Sequence, residues 1–114
     1  MRQAIELASR INEQIRGSEE YRNYTMADRR LKEDPELYGR YNEFRRRNYE
    51  LQSSEGDSNL YDEVFNLVKE YDTILQDSRV NDFILAEQRM CSMMRELYAE
   101  LSRNLEFDYE YLEK

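Results

Sequence analysis

Apolar residues recur at helical spacing along almost the whole chain, and the points where the pattern starts and stops divide it into five segments. Ala4, Leu7, Ala8, Ile11 and Ile15 predict a helix over 2–16 that Gly17 ends. Ser18 is placed to cap a second helix, with Glu19 and Glu20 in the first turn, where the helix dipole favours acids. That helix runs to about Lys32 and aligns Tyr21, Tyr24, Ala27 and Leu31. Asp34-Pro35-Glu36 is a restart signal, a capping Asp followed by proline at the first helical position. The third helix, about 35–53, carries Leu37, Tyr41, Phe44, Asn48 and Leu51 at spacings of 4, 3, 4 and 3, a coiled-coil-like seam with one polar member. Ser53-Ser54-Glu55-Gly56-Asp57-Ser58 reads as a loop. A fourth helix, about 59–76, shows Leu60, Val64, Leu67, Val68, Tyr71, Ile74 and Leu75, and Asp77-Ser78 breaks it from a fifth, about 79–105. The stripe of the fifth is Val80, Phe83, Ile84, Met90, Met94, Leu97, Leu101 and Leu105.

The pattern therefore predicts an all-α fold: a small bundle of about five helical segments with a long C-terminal helix, one domain over 1–114, and a frayed acidic and aromatic tail at 106–114. Three glycines and one proline agree with long helices on short links, because turn-built β folds use more of both. A 27-residue helix spans about 40 Å and outruns anything the shorter helices can cover. With a mean hydropathy of −1.04, a lone copy would also bury little. The expectation is a dimer, homodimeric or higher, with Val80, Phe83, Met90, Met94, Leu97 and Leu101 supplying much of the interface.

Charge narrows the partners. The net charge of −8 argues against direct contact with nucleic acid, whose binders neutralise phosphates with Lys and Arg. The charge is uneven: residues 1–52 hold 11 basic and 10 acidic side chains, and residues 53–114 hold 6 and 15. Such asymmetry can orient one half, or one subunit, against another. No stretch nears the roughly 20 apolar residues of a membrane span, and Met1-Arg2-Gln3-Ala4 enters an amphipathic pattern with no signal-peptide core. With Cys91 as the lone cysteine no intrachain disulfide forms, and the reading is cytoplasmic.

No motif for catalysis, metal or cofactor emerges. Histidine is absent, which removes the commonest general base and zinc ligand, and there is no Gly-rich phosphate loop or serine elbow. Glu-rich helices can build di-metal sites, but those need Glu-x-x-His pairs, so the acids read as surface groups rather than an enzyme's. Arg45, Arg46 and Arg47 beside Tyr41 and Tyr49 could touch RNA or an acidic partner. Against that stands a solvated face, since three consecutive helical residues point three ways. Met90, Met93 and Met94 read as core or self-association seam, and Cys91 as a partly buried small hydrophobe. Asn48 either fixes register in its seam or faces solvent. Glu87, between apolar positions 84 and 90, should approach the seam of the long helix and pair with an arginine from another helix or subunit.

Two stretches together resemble a known family. One runs Ile15-Arg16-Gly17-Ser18-Glu19-Glu20-Tyr21-Arg22-Asn23-Tyr24 and continues through Leu31-Lys32-Glu33-Asp34-Pro35-Glu36-Leu37 and Asn42-Glu43-Phe44-Arg45-Arg46-Arg47-Asn48. The other is Val80-Asn81-Asp82-Phe83-Ile84-Leu85-Ala86-Glu87-Gln88-Arg89-Met90. In order and spacing the chain resembles the YlbF/YmcA family of bacterial regulators, found mainly in Gram-positive bacteria. The resemblance implies a small dimerising helical protein without an active site. It further implies heteromeric complexes with related family members that act on competence, sporulation and biofilm formation, linked to ribonuclease Y and messenger-RNA processing. Some relatives carry iron–sulfur clusters on cysteines near the C-terminus. This chain ends Phe107-Asp108-Tyr109-Glu110-Tyr111-Leu112-Glu113-Lys114 with none, so no cluster is expected here.

Overall fold

The computed structural model describes residues 1–53, 59–108 and 110–112. Among them are six α-helices and no strand: α1 (Arg2–Arg16), α2 (Glu19–Lys32), α3 (Pro35–Ser53), α4 (Leu60–Glu70), α5 (Asp72–Leu75) and α6 (Ser78–Ser102), followed by a single 3-10 turn at Glu110–Leu112. The all-α expectation holds. Of the loop expected over Ser53–Ser58, Ser53 closes α3 and residues 54–58 lie outside the described residues, as do three positions of the 106–114 tail.

The capping chemistry read from the sequence sets the helix starts. Ser18 Oγ accepts from Tyr21 N at 3.1 Å and donates to Ile15 O at 2.6 Å, so one hydroxyl ties the end of α1 to the start of α2. Asp34 accepts from Leu37 N at 3.1 Å ahead of Pro35. Asp77 accepts from Arg79 N at 2.8 Å. Arg79 then reaches back to Asp34 at 3.3 Å, so one guanidinium joins the caps of α3 and α6.

Helix α1 ends at Gly17 as its pattern predicts, with Gly17 at φ −92, an ordinary conformation rather than a left-handed one. Two other boundaries differ from the sequence reading. The expected 59–76 helix is broken at Tyr71, where φ −102 and ψ 20 turn α4 into α5. The turn carries the Tyr71 side chain inward, leaving it 1% exposed against Phe44 (ring centroids 5.6 Å apart). The long helix has 25 residues rather than 27, because Arg103, at φ −57 and ψ 129, leaves the helical conformation, and Asn104 follows it at φ 66, which Asn tolerates.

The core is small. Ala27 and Leu31 of α2, Leu37 and Tyr41 of α3, and Val80, Phe83 and Ala86 of α6 form one buried cluster, edged by Tyr24, Phe44 and Ile74. Phe83 sits at its centre, with Tyr24 at 5.5 Å and Tyr41 edge-on at 6.0 Å. Helix α2 lies along the first half of α6, while α1 meets the rest of the molecule at α2 and buries no residue of its own.

Candidate protein-binding surface

Helix α6 has two unlike halves. Its buried residues, Val80, Phe83 and Ala86, all lie in the first half, and none follows them. Val80 and Phe83 are 0% and 2% exposed inside a single chain, covered by α2 and α3. They are therefore not available to a partner, which corrects that part of the expected interface. The sequence could not separate them from the rest of the stripe, since one periodicity runs through both halves. Further along, Met90, Met93 and Leu97 are half-buried, while Met94 (42%) and Leu101 (59%) are exposed. A shallow groove lined by Glu19, Glu20 and Asn23 of α2 and Leu85, Arg89 and Met93 of α6 marks where α2 gives out.

The boundary between the halves is electrostatic. Glu87 is half-buried, its carboxylate 3.8 Å from Arg45 of α3. Arg45 lies over the rings of Tyr41 (4.7 Å) and Phe83 (5.3 Å) and donates to Asn42 Oδ1, so it roofs the core while pairing with Glu87. Burial beneath it pushes the Tyr41 phenol up. Arg47 turns the other way, bonded to Glu70 and donating to the Tyr71 hydroxyl at 3.1 Å; the Glu70 bond holds its guanidinium above the usual arginine value. Arg46 is exposed on a third side. The trio therefore forms no single basic patch, and two of its members are engaged in the fold.

Asn48 is half-buried in line with Leu37, Tyr41, Phe44 and Leu51, and its Oδ1 accepts from Gln52 Nε2 of the next turn at 3.1 Å. Cys91 is exposed, against expectation. Among the described residues no three His, Cys, Asp or Glu side chains gather as a metal site requires. No described helix is long and apolar enough to cross a membrane.

The sequence reading gave α1 no role, yet its stripe is also uncovered. Ala4, Leu7 and Ala8 are exposed and Ile11 and Ile15 only half-buried. The signal was present in the same pattern that predicted the helix, an apolar face strong enough to need covering. Its partner could not be read from spacing alone.

A family model described as "Control of competence regulator ComK, YlbF/YmcA" matches residues 4–106. A curated relative, the UPF0342 protein STH1710 of Symbiobacterium thermophilum, is 23% identical over 99 residues that make up 85% of this chain and 88% of that protein. No solved structure matches the chain at a significant level. The family match runs from the first turn of α1 past the end of α6, taking in both uncovered stripes and the capped junctions between helices, and the chain belongs to the YlbF/YmcA family, described as controlling the competence regulator ComK.

Proposed function

We propose that the protein is a non-enzymatic regulatory adaptor of the cytoplasm that works by holding other proteins, itself included, against the uncovered half of α6. One observation carries this reading: beyond the core the apolar stripe continues with Met90 and Leu97 half-buried and Met94 and Leu101 exposed, on a helix whose other half anchors the fold. A soluble protein keeps such a patch when something binds it. The family's tie to the competence regulator supports a regulatory role. We extend that role to the wider set its resemblance suggests: complexes with related family members and with ribonuclease Y that act on RNA processing, sporulation and biofilm formation.

The test is retrieval of the tagged full-length protein from a Gram-positive host, with and without nuclease, probing for ribonuclease Y and family members. Their retention after nuclease, and loss in a Met94→Glu/Leu97→Glu variant, is expected. Partners that vanish with nuclease would instead favour RNA contact through the α3 arginines.

A further inference from the structure

Helix α4 is rich in apolar residues yet buries one of them. Leu60, Tyr61, Val64, Phe65, Leu67 and Val68 fill six of its 11 positions, and of these Leu67 is the buried one. Leu60 and Val64 share its side of the helix and are half-buried. Tyr61 (83%), Phe65 (60%) and Val68 (41%) stand exposed on the adjoining strip, spaced 4 and 3. A Tyr or Phe side chain carries about 150–250 Å², so the strip presents on the order of 300 Å² of apolar surface. Exposed patches of that size on soluble proteins are often functional.

The strip is held still by the fold. Leu67 is 3% exposed, and α4 packs along α3. Where α4 ends, Arg47 of α3 bonds Glu70 and the Tyr71 hydroxyl, and the Tyr71 ring lies against Phe44. A surface fixed before binding loses little conformational freedom when a partner lands on it. Charge then selects the partner. Residues 59–76 hold four acids and one base, Lys69, within a chain of net charge −8. Glu70 is taken by Arg47, whereas among the described residues neither Asp62 nor Asp72 makes an ion pair. Asp62 precedes Phe65 by three residues and so borders the strip, and Asp72 stands just past its end. A second copy seated here would bring the same carboxylates with it, a like-charge match. From Tyr61 to Val68 is about 10 Å along the axis, two turns that a partner helix meets with side chains spaced 3, 4 and 7.

We propose that the Tyr61–Phe65–Val68 face of α4 docks a basic amphipathic helix of another protein. The apolar stripe of that helix covers the strip, and its lysines or arginines reach Asp62 and Asp72. The face is separate from the one on α6, so the protein has a second binding surface that does not depend on the first.

The probe is a fluorescein-labelled leucine–lysine peptide about five turns long, its leucines at helical spacing. Anisotropy is read against the full chain from low to high salt. Two control peptides accompany it: the same composition reordered so that no stripe forms, and a leucine–glutamate counterpart. The striped basic peptide should bind at least tenfold more tightly than either. Tyr61→Ser/Phe65→Ser should weaken it at least tenfold while keeping the helical circular dichroism of the parent. Asp62→Asn/Asp72→Asn should weaken it severalfold and flatten the salt dependence. The neutral Met94→Ser/Leu97→Ser variant on α6 should bind as the parent does; if it loses the peptide and the α4 variant keeps it, this proposal fails and the reading of α6 stands. Equal binding of the reordered peptide overturns the proposal, because charge alone then accounts for the affinity. Loss of helix in Tyr61→Ser/Phe65→Ser would show the strip to be packed within the fold. A change in that variant's own sedimentation would show a second copy to be the occupant. Either result overturns it as well.

Discussion

Arg79 shows how much of this fold hangs on single polar contacts. Its side chain bonds Asp77 Oδ2 at 3.0 Å and lies 3.3 Å from Asp34, linking two helix starts far apart in sequence. The hydrogen bond from Arg79 holds the Asp77 carboxyl below its usual value. A carboxylate depressed in the folded state stabilises at pH values above its unfolded pKa of about 3.9, and the contribution is lost as pH falls through the lower folded value. Asp77→Ala should therefore cost about 1 kcal/mol at neutral pH, as removal of a capping side chain does. Asp77→Asn keeps an acceptor for Arg79 N but cannot titrate. Thermal melts from about pH 6 to pH 2 should show a shallower acid slope for the Asn variant than for the parent; equal slopes would remove Asp77 from the account. Tyr71 is the second such residue. Tyr71→Phe loses the hydrogen bond from Arg47, about 0.5–1.5 kcal/mol, whereas Tyr71→Ala also empties a buried site and should cost about 3–5 kcal/mol in urea unfolding, in the range seen when a buried aromatic is cut to alanine. If the two variants cost the same, the ring is not packed as described.

At the scale of elements, α6 is one helix in sequence and two halves in packing. Phe83→Ala should lower the stability of a single chain by about 3–5 kcal/mol, because its ring meets Tyr24 and Tyr41 in the core. Leu101→Ala, at 59% exposure, should change it by no more than about 0.5 kcal/mol when both are measured by denaturant unfolding under dilute conditions. Comparable losses at both positions would mean the second half of α6 is also core. Gly17→Ala belongs here too. An added Cβ would meet nothing nearer than Glu13 O at 3.6 Å and φ is ordinary, so the change should be neutral or stabilise by up to about 1 kcal/mol. Element type and order were legible because apolar spacing and caps act locally: Ser18 and Asp34 each mark a start that the structure keeps, and the break read at Asp77-Ser78 holds a third cap. The break at Tyr71 was not legible, since no proline or glycine signals it and its cause is a ring drawn toward α3, a tertiary contact. For the same reason the stripe of α6 showed that something would cover it but not what. Val80 and Leu101 have the same period and different neighbours.

The shape of the whole molecule sets the last expectation. A chain whose α1 and whose second half of α6 bury no residue fully has few buried residues to hold it, chiefly the cluster around Phe83. Covering these faces with a second copy would bury apolar surface at roughly 25 cal/mol per Å², enough for an interface of about 800 Å² per partner to exceed the cost of association. Because the native state is then the associated one and the unfolded state is not, mass action makes stability depend on concentration. The thermal midpoint should rise by several degrees as protein concentration increases from about 1 to 100 µM, with a single cooperative transition throughout. A Leu7→Asp/Ile11→Asp variant should melt lower and lose that dependence, since it puts charge on the apolar face of α1 without touching a residue fully buried in one chain. Calorimetry across the concentration range decides between the two pictures. A midpoint that stays fixed for the parent protein would mean that the small cluster around Phe83 suffices, and that the uncovered faces of α1 and α6 are held in reserve for a different protein.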